Sequence, residues 1–363
     1  MENRVSATWQ PTGSKTAAKP LPSLTLLTPL AFRQGRLLWE IALPSPTEPI
    51  TPTELVTRKG TVPLPLYLPT LSLGRFVLDK HVLPYLLPDL APGVMVSQRY
   101  VAYLEAPFAQ SLWLDSGAYA LLSVEQATWS IGSQGLGKIS LPPSQCAHAG
   151  CDQLHPKQVL AAQEALAEVG FTLDIPIPPE CSAQEASQRL AVTLKNAAWA
   201  LRHKQRKDLK LFASLPFYSL QQAQQTAKTY AQMHLNGKQF DGIAVGGLVP
   251  RLADEALLLA IAKTVRENAP GLPIHLFGVG EPALCHQLFA AGATSTDSAT
   301  FLTRAARGQR WGSEAAMSEP SLYEKVHLAL MNLAEGQQST LPFSPFLLSL
   351  ATWYMRPEVK RKW

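Results

Sequence analysis

From about residue 55 onward the chain alternates short apolar runs with longer stretches of helical periodicity. The runs cover residues 64–68, 94–97, 112–115, 171–174, 209–213, 242–246, 274–278 and 293–297. Most are continuous rather than alternating, the pattern of strands buried on both faces. Helical patterns fill the later intervals, at 156–169, 184–201, 220–235, 254–268 and 282–291. The first opens with Pro156, suited to the first helical position, and closes at Gly170. Eight strands alternating with helices predict a (β/α)8 TIM barrel, with a doubly wound sheet as the alternative. The divisions read as a flexible tail at 1–22, an irregular N-terminal extension at 23–54, the barrel at 55–312 and a C-terminal helical segment at 313–363. Residues 120–143, with a Gly-rich piece at 132–138, read as an insertion at the barrel mouth.

Composition narrows the function classes. The hydrophobic share is 46%, which excludes a disordered chain. No apolar run reaches the roughly 18 residues of a membrane span, and residues 1–22 have no apolar signal core. Four cysteines in 363 residues are too few for a disulfide scaffold. These features predict a cytoplasmic protein without a membrane partner. A formal charge of +5 permits a polyanionic partner without requiring one.

The polar residues that break the apolar runs fall at strand ends, where barrels of this type place their active sites. Asp115, Asp174 and Asp297 end the third, fourth and eighth runs, so three carboxylates converge on one mouth. A strand-end aspartate can instead cap the next helix. That alternative is strongest at Asp174, where three prolines follow within five residues. The segment 278–292 can be read as a phosphate-binding end after strands seven and eight.

At these residues the chain resembles the tRNA-guanine transglycosylase family. The matching pieces are Asp115-Ser-Gly-Ala-Tyr119, Val245-Gly-Gly-Leu248, Gly278-Val-Gly280 and Asp297-Ser-Ala299, together with Thr57-Arg-Lys-Gly-Thr-Val-Pro63. They keep the family's order from about residue 57 to 310. The resemblance implies exchange of guanine in a nucleic acid for a 7-deazaguanine such as queuine or a precursor. It assigns Asp297 as the nucleophile, through a covalent glycosyl intermediate, and Asp115 as the acid/base. Asp174 would accept hydrogen bonds from the purine and Tyr119 would stack on it. Ser116, Gly246, Gly247 and Leu248 would complete the base site, and Arg304 and Arg307 would meet the polymer. This is the logic of retaining glycosidases.

Several family features are missing. No cysteine follows Cys285, and Met331 in Ala329-Leu-Met-Asn-Leu333 replaces the histidine ligand, so the family zinc site is expected to be lost and no cofactor is expected. Leu211-Phe-Ala-Ser-Leu-Pro216 lacks the family's glutamine. Arg304-Ala-Ala-Arg-Gly308 departs from its arginine-rich run. These changes make a housekeeping tRNA enzyme a poorer match and suggest a divergent paralogue, such as the branch that inserts 7-deazaguanines into DNA, with the nucleic acid left open as DNA or tRNA. Cys146, His148, Cys151 and His155 offer zinc-type ligands at a spacing unlike common fingers, a weak alternative metal cluster. Basic runs at 202–207 and 360–362 are candidate phosphate contacts or ordinary solvated faces. A homodimer or partner proteins are compatible with the sequence. The competing readings are a phosphate-binding barrel enzyme on a small metabolite and a non-catalytic nucleic-acid-binding subunit.

Overall fold

The computed structural model describes residues 51–338 apart from 74–76, 87, 89, 105–106, 146–151 and 314–315. The tail, nearly all of the N-terminal extension, residues 339–363, and Cys146, His148 and Cys151 therefore lie outside the described residues.

An antiparallel hairpin, β1 (Glu54–Thr57) and β2 (Gly60–Pro63), precedes the barrel. Next come β3 (Leu66–Leu71), α1 (Val77–Val82), β4 (Gly93–Ser97), β5 (Ser111–Asp115) and the one-turn α2 (Ala120–Ser123). Then β6 (Thr128–Ile131), β7 (Gly137–Ser140) and β8 (Gln153–Leu154) form a separate three-stranded antiparallel sheet. This sheet is the expected insertion, and the Gly-rich piece turns its first hairpin. After α3 (Pro156–Leu166) the regular alternation sets in. It runs β9 (Val169–Phe171), α4 (Ala183–His203), β10 (Lys210–Leu215), α5 (Leu220–Gln232), β11 (Gly242–Val245) and α6 (Glu255–Asn268). It ends with β12 (Ile274–Leu276), α7 (Pro282–Ala290), β13 (Ser295–Ser298), α8 (Thr300–Ala306) and α9 (Leu322–Gln338).

Eight strands close a parallel barrel in the order β3, β4, β5, β9, β10, β11, β12, β13. Closure pairs β13 with β3, setting Asp297 opposite Leu68. The (β/α)8 expectation holds, and the doubly wound alternative falls because the sheet has no edge. Each of the eight runs contributes one strand. The largest displacements are at β3, which continues through Pro69 to Leu71 where the run ended at Leu68, and at β9, which stops at Phe171 and leaves Asp174 in the following loop.

Local chemistry sets the helix starts. Ser182, Ser219 and Asp254 accept from the N–H groups of Glu185, Gln222 and Leu257, satisfying first-turn donors. Their apolar faces cover the outside of the barrel. The barrel's interior is packed by Trp113, Phe171 and Phe212, with ring centroids 5.6–6.1 Å apart.

The N-terminal end of the barrel is held by charge. Glu168, just before β9, is fully buried; it accepts from Arg58 Nη2 at 2.8 Å and from the Leu112 N–H at 2.8 Å. Lys59 lies 3.5 Å from its other oxygen. Arg58 and Lys59 occupy the tip of the β1–β2 hairpin, so this pairing fixes the hairpin to the barrel. Glu168→Ala strands the buried Leu112 N–H and takes the carboxylate from Arg58, while Lys59 keeps its bonds to Phe108 O and Gln110 O, and is expected to lower the unfolding free energy by about 2 kcal/mol in urea denaturation.

Candidate active site

The C-terminal ends of the strands surround a cavity of about 600 Å³. All three predicted aspartates line it. Asp115, at the end of β5, accepts from the Gly117 N–H at 3.0 Å. Burial pushes it up to about 6, the Gly117 N–H opposes the rise, and the Asp297 charge adds to it. Asp174 is buried in the β9–α4 loop, where burial and then the Asp115 charge push it up to about 7. Gly246 lies close by: a Cβ there would make an ordinary van der Waals contact with Asp174 Oδ2 at 3.4 Å. Asp115 is thus electrostatically coupled to both other acids.

Asp297 is the most constrained of the three. Its Oδ2 accepts from Thr70 Oγ1 at 2.6 Å, and its Oδ1 accepts from the Gly278 N–H at 3.0 Å. His275 Nε2 lies 3.1 Å from the same Oδ1, while its Nδ1 lies 3.0 Å from Ser295 Oγ. A Ser295 hydroxyl that donates to Nδ1 leaves an Nε2–H for Asp297. His275 is fully buried against Phe277, Phe171 and Trp113, with ring centroids 4.7, 5.2 and 5.8 Å away. The carboxylate therefore has one orientation, facing the cavity from β13.

Tyr119 stands at the rim, 49% exposed, and Gly246, Gly247 and Leu248 line the wall after β11. Ser116 is placed differently: it is buried, and its hydroxyl accepts from the Ala118 N–H at 3.3 Å within the turn. Arg304 also turns away from the cavity. It donates to Arg310 O and Ser313 O and lies 5.3 Å over the Trp311 ring. Arg307 is exposed at the C-cap of α8 and does not line the cavity. Thr70, His275 and Gly278 join the site although no motif marked the first two. Thr70 lay just beyond the first apolar run, and His275 was the one polar residue inside the seventh.

The phosphate-binding reading of 278–292 meets an obstacle. The Gly278 N–H is taken by Asp297, and the start of α7 is capped by the Glu281 carboxylate, which accepts from the Leu284 N–H. An acidic side chain at that helix start opposes a bound phosphate. The basic run at 202–207 ends α4, at the barrel end remote from the cavity. Lys204 there pairs with Asp241 and Arg206 with Asp208.

The metal expectations meet two different situations. Along the family's ligand helix, Met331 supplies no nitrogen. The neighbouring Asn332 is fully engaged, accepting from the Trp311 N–H and donating to Phe301 O and Gln309 O. That donor set does not fit zinc. In the other cluster only His155 is described, and its Nδ1 accepts from the Lys157 N–H as the cap of α3. Among the described residues no group of three or more His, Cys, Asp or Glu side chains is arranged to hold a metal ion, and no helix is long and apolar enough to cross a membrane.

Comparison with known proteins gives concordant results. The family described as Queuine tRNA-ribosyltransferase matches residues 53–317. The tRNA-guanine(15) transglycosylase of Thermococcus kodakarensis is 23% identical over 253 residues, 68% of this chain and 40% of that protein. Its counterpart in Methanosarcina barkeri is 24% identical over 261 residues, 70% of this chain and 49% of the relative. That of Methanocaldococcus jannaschii is 29% identical over 232 residues, 61% and 33% respectively. The matched region thus spans between a third and a half of these relatives' length.

Proposed function

Because the chain belongs to the queuine tRNA-ribosyltransferase family, we propose that it exchanges a guanine in nucleic acid for a 7-deazaguanine base through a covalent aspartyl intermediate. The observation that carries the reading is the pairing of two unlike carboxyl groups at one cavity. Asp297 is fixed by three donors, whereas burial pushes Asp115 up to about 6.

In the first half-reaction an Asp297 oxygen attacks the ribose anomeric carbon and the C1′–N9 bond breaks. The departing guanine takes the electron pair and a proton from Asp115. In the second half the incoming base attacks the same carbon through N9 and passes its N9 proton to Asp115. The bond from C1′ to Asp297 breaks, and the carboxylate is regenerated. Two displacements at one carbon retain configuration. A carboxyl pushed up to about 6 suits a group that donates a proton in one half and accepts it in the other. Asp174 accepts from the purine N1–H and exocyclic amine, and Tyr119 covers the base face, as flipped bases are commonly held.

The polymer is DNA or tRNA. The relatives' names favour tRNA, while the missing glutamine and altered arginine run favour a divergent substrate. Incubation with labelled guanine and either polymer tests the activity: label is expected to enter one of them. Mass spectrometry of nucleosides from cells expressing the protein then assigns the polymer and the inserted base. A folded protein that exchanges label into neither polymer would overturn the proposal.

A further inference from the structure

The donors around Asp297 are shared unequally between its two oxygens. An ionised carboxylate offers about four lone-pair sites, two on each oxygen. Both sites on Oδ1 are occupied, by the Gly278 N–H at 3.0 Å and by His275 Nε2 at 3.1 Å. On Oδ2 a single donor is present, Thr70 Oγ1 at 2.6 Å. The lone pair left over therefore belongs to Oδ2.

His275 is the donor with no role in the steps above. An ionised carboxylate only accepts, so Nε2 must carry a proton. The other ring nitrogen is held by Ser295 Oγ at 3.0 Å, and the parallel register of β12 and β13 sets His275 directly beside Ser295. Trp113, Phe171 and Phe277 pack around the ring, which is fully buried and does not line the cavity. With no water to compete, a hydrogen bond to a charged oxygen gains strength.

We infer that His275 is a positioning residue that gives the two oxygens of Asp297 different tasks. Oδ2 forms the bond to the anomeric carbon. Oδ1 becomes the carbonyl oxygen of the glycosyl ester and keeps its two donors. As the C1′–Oδ2 bond forms, the C1′–N9 bond breaks, and the electron pair leaves on guanine, which takes the Asp115 proton. In the second half the C1′–Oδ2 bond breaks, its electron pair returns to Asp297, and the charge spreads onto Oδ1. A hydrogen bond to a charged oxygen is roughly twice as strong as one to a neutral carbonyl. His275 therefore favours the free carboxylate over the ester. Its removal acts on attack in two opposed ways, leaving a more basic carboxylate and a looser one. On departure of Asp297 the loss of stabilised charge is uncompensated. The inference rests on the proposed base exchange and deepens it.

The test is single-turnover kinetics of the full chain with labelled polymer, timing adduct formation and its resolution by added guanine separately. His275→Phe keeps an aromatic ring among the same neighbours but donates nothing. Its adduct is expected to resolve about tenfold more slowly, while formation changes by less than about threefold, so that adduct accumulates. His275→Gln restores an N–H donor and is expected to resolve its adduct within about threefold of the wild type. A merely loosened site would slow both steps in proportion. That result, or unchanged resolution in His275→Phe, would overturn the inference. Nitrogen-15 NMR of the histidine-labelled wild type decides independently of how the variants fold. Nε2 is expected to carry the proton in the free protein, and its N–H proton signal should move upfield in the adduct as the bond to Oδ1 weakens. A proton on Nδ1 alone, or no upfield movement, would also overturn the inference. A wild type that forms no adduct with either polymer would instead overturn the base-exchange reading itself.

Discussion

Asp297→Asn is expected to give a folded protein that forms no covalent adduct with nucleic acid and has lost base exchange by on the order of 10⁴-fold or more. The fold survives because asparagine can satisfy the same shell. Its carbonyl oxygen accepts from the Gly278 N–H and His275 Nε2, and its amide faces Thr70, whose hydroxyl can rotate to accept. The chemistry does not survive, because an amide oxygen cannot displace a purine from the anomeric carbon. Denaturing electrophoresis after incubation with polymer checks this directly. The wild type should show a slow-migrating protein–nucleic acid species that free base dissolves, and the variant should show none. An adduct that persists in Asp297→Asn would move the nucleophile elsewhere, with Asp115 the next candidate.

Asp174→Asn has two expected effects of opposite sign. In the wild type the folded-state carboxyl is pushed up to about 7, well above its ordinary value of 3.8. The native state therefore holds a proton that the unfolded state has released. Stability from this group is fully present below about pH 4 and declines as pH rises through 7. Asparagine removes that dependence. The variant should thus be more stable than the wild type at pH 8, by about 2–4 kcal/mol on the 1.4 kcal/mol per unit conversion, with no difference near pH 4. Thermal melts at the two pH values check this; an equal gap at both would place the strain elsewhere. The same substitution replaces an acceptor with an amide and should weaken guanine binding by roughly 100-fold, as expected where a site built for a hydrogen bond loses it. In the wild type guanine affinity should fall about tenfold per pH unit below 7, because only the ionised carboxylate accepts from both purine donors.

How far the sequence carried the argument depended on how local each signal was. Pro156, Asp254 and Pro282 marked helix starts because their effect acts within one turn. The three aspartates were legible because a charge at the end of an apolar run has few structural uses. Thr70 was lost because the run was cut at Leu68, before Pro69, whereas β3 continues through that proline to pair with β13. His275 was lost because one histidine in an apolar strand reads as core, and its partner lies 22 residues away. Arg251, which ties the β9–α4 loop to the loop after β11, left no trace, since its carbonyl partner Ile177 is 74 residues distant. Ser116 borders a site motif, but a local hydrogen bond holds its hydroxyl within the turn, and Arg304, expected at the polymer rather than the base, donates to Arg310 O and Ser313 O.

The two ends of the barrel divide the work between them. Arg58, Lys59 and Glu168 fasten the N-terminal end, while the proposed base reading falls to the β9–α4 loop and the loop after β11, which Arg251 joins through Ile177 O and Gly247 O. A library that varies those two loops together, with the Arg251 bridge kept, would explore new purine preferences without touching the ion pairs that fasten the opposite end. Randomising either loop alone would leave the two out of step. Retargeting this scaffold to another modified base is therefore a two-loop problem, with Arg251 as its fixed point.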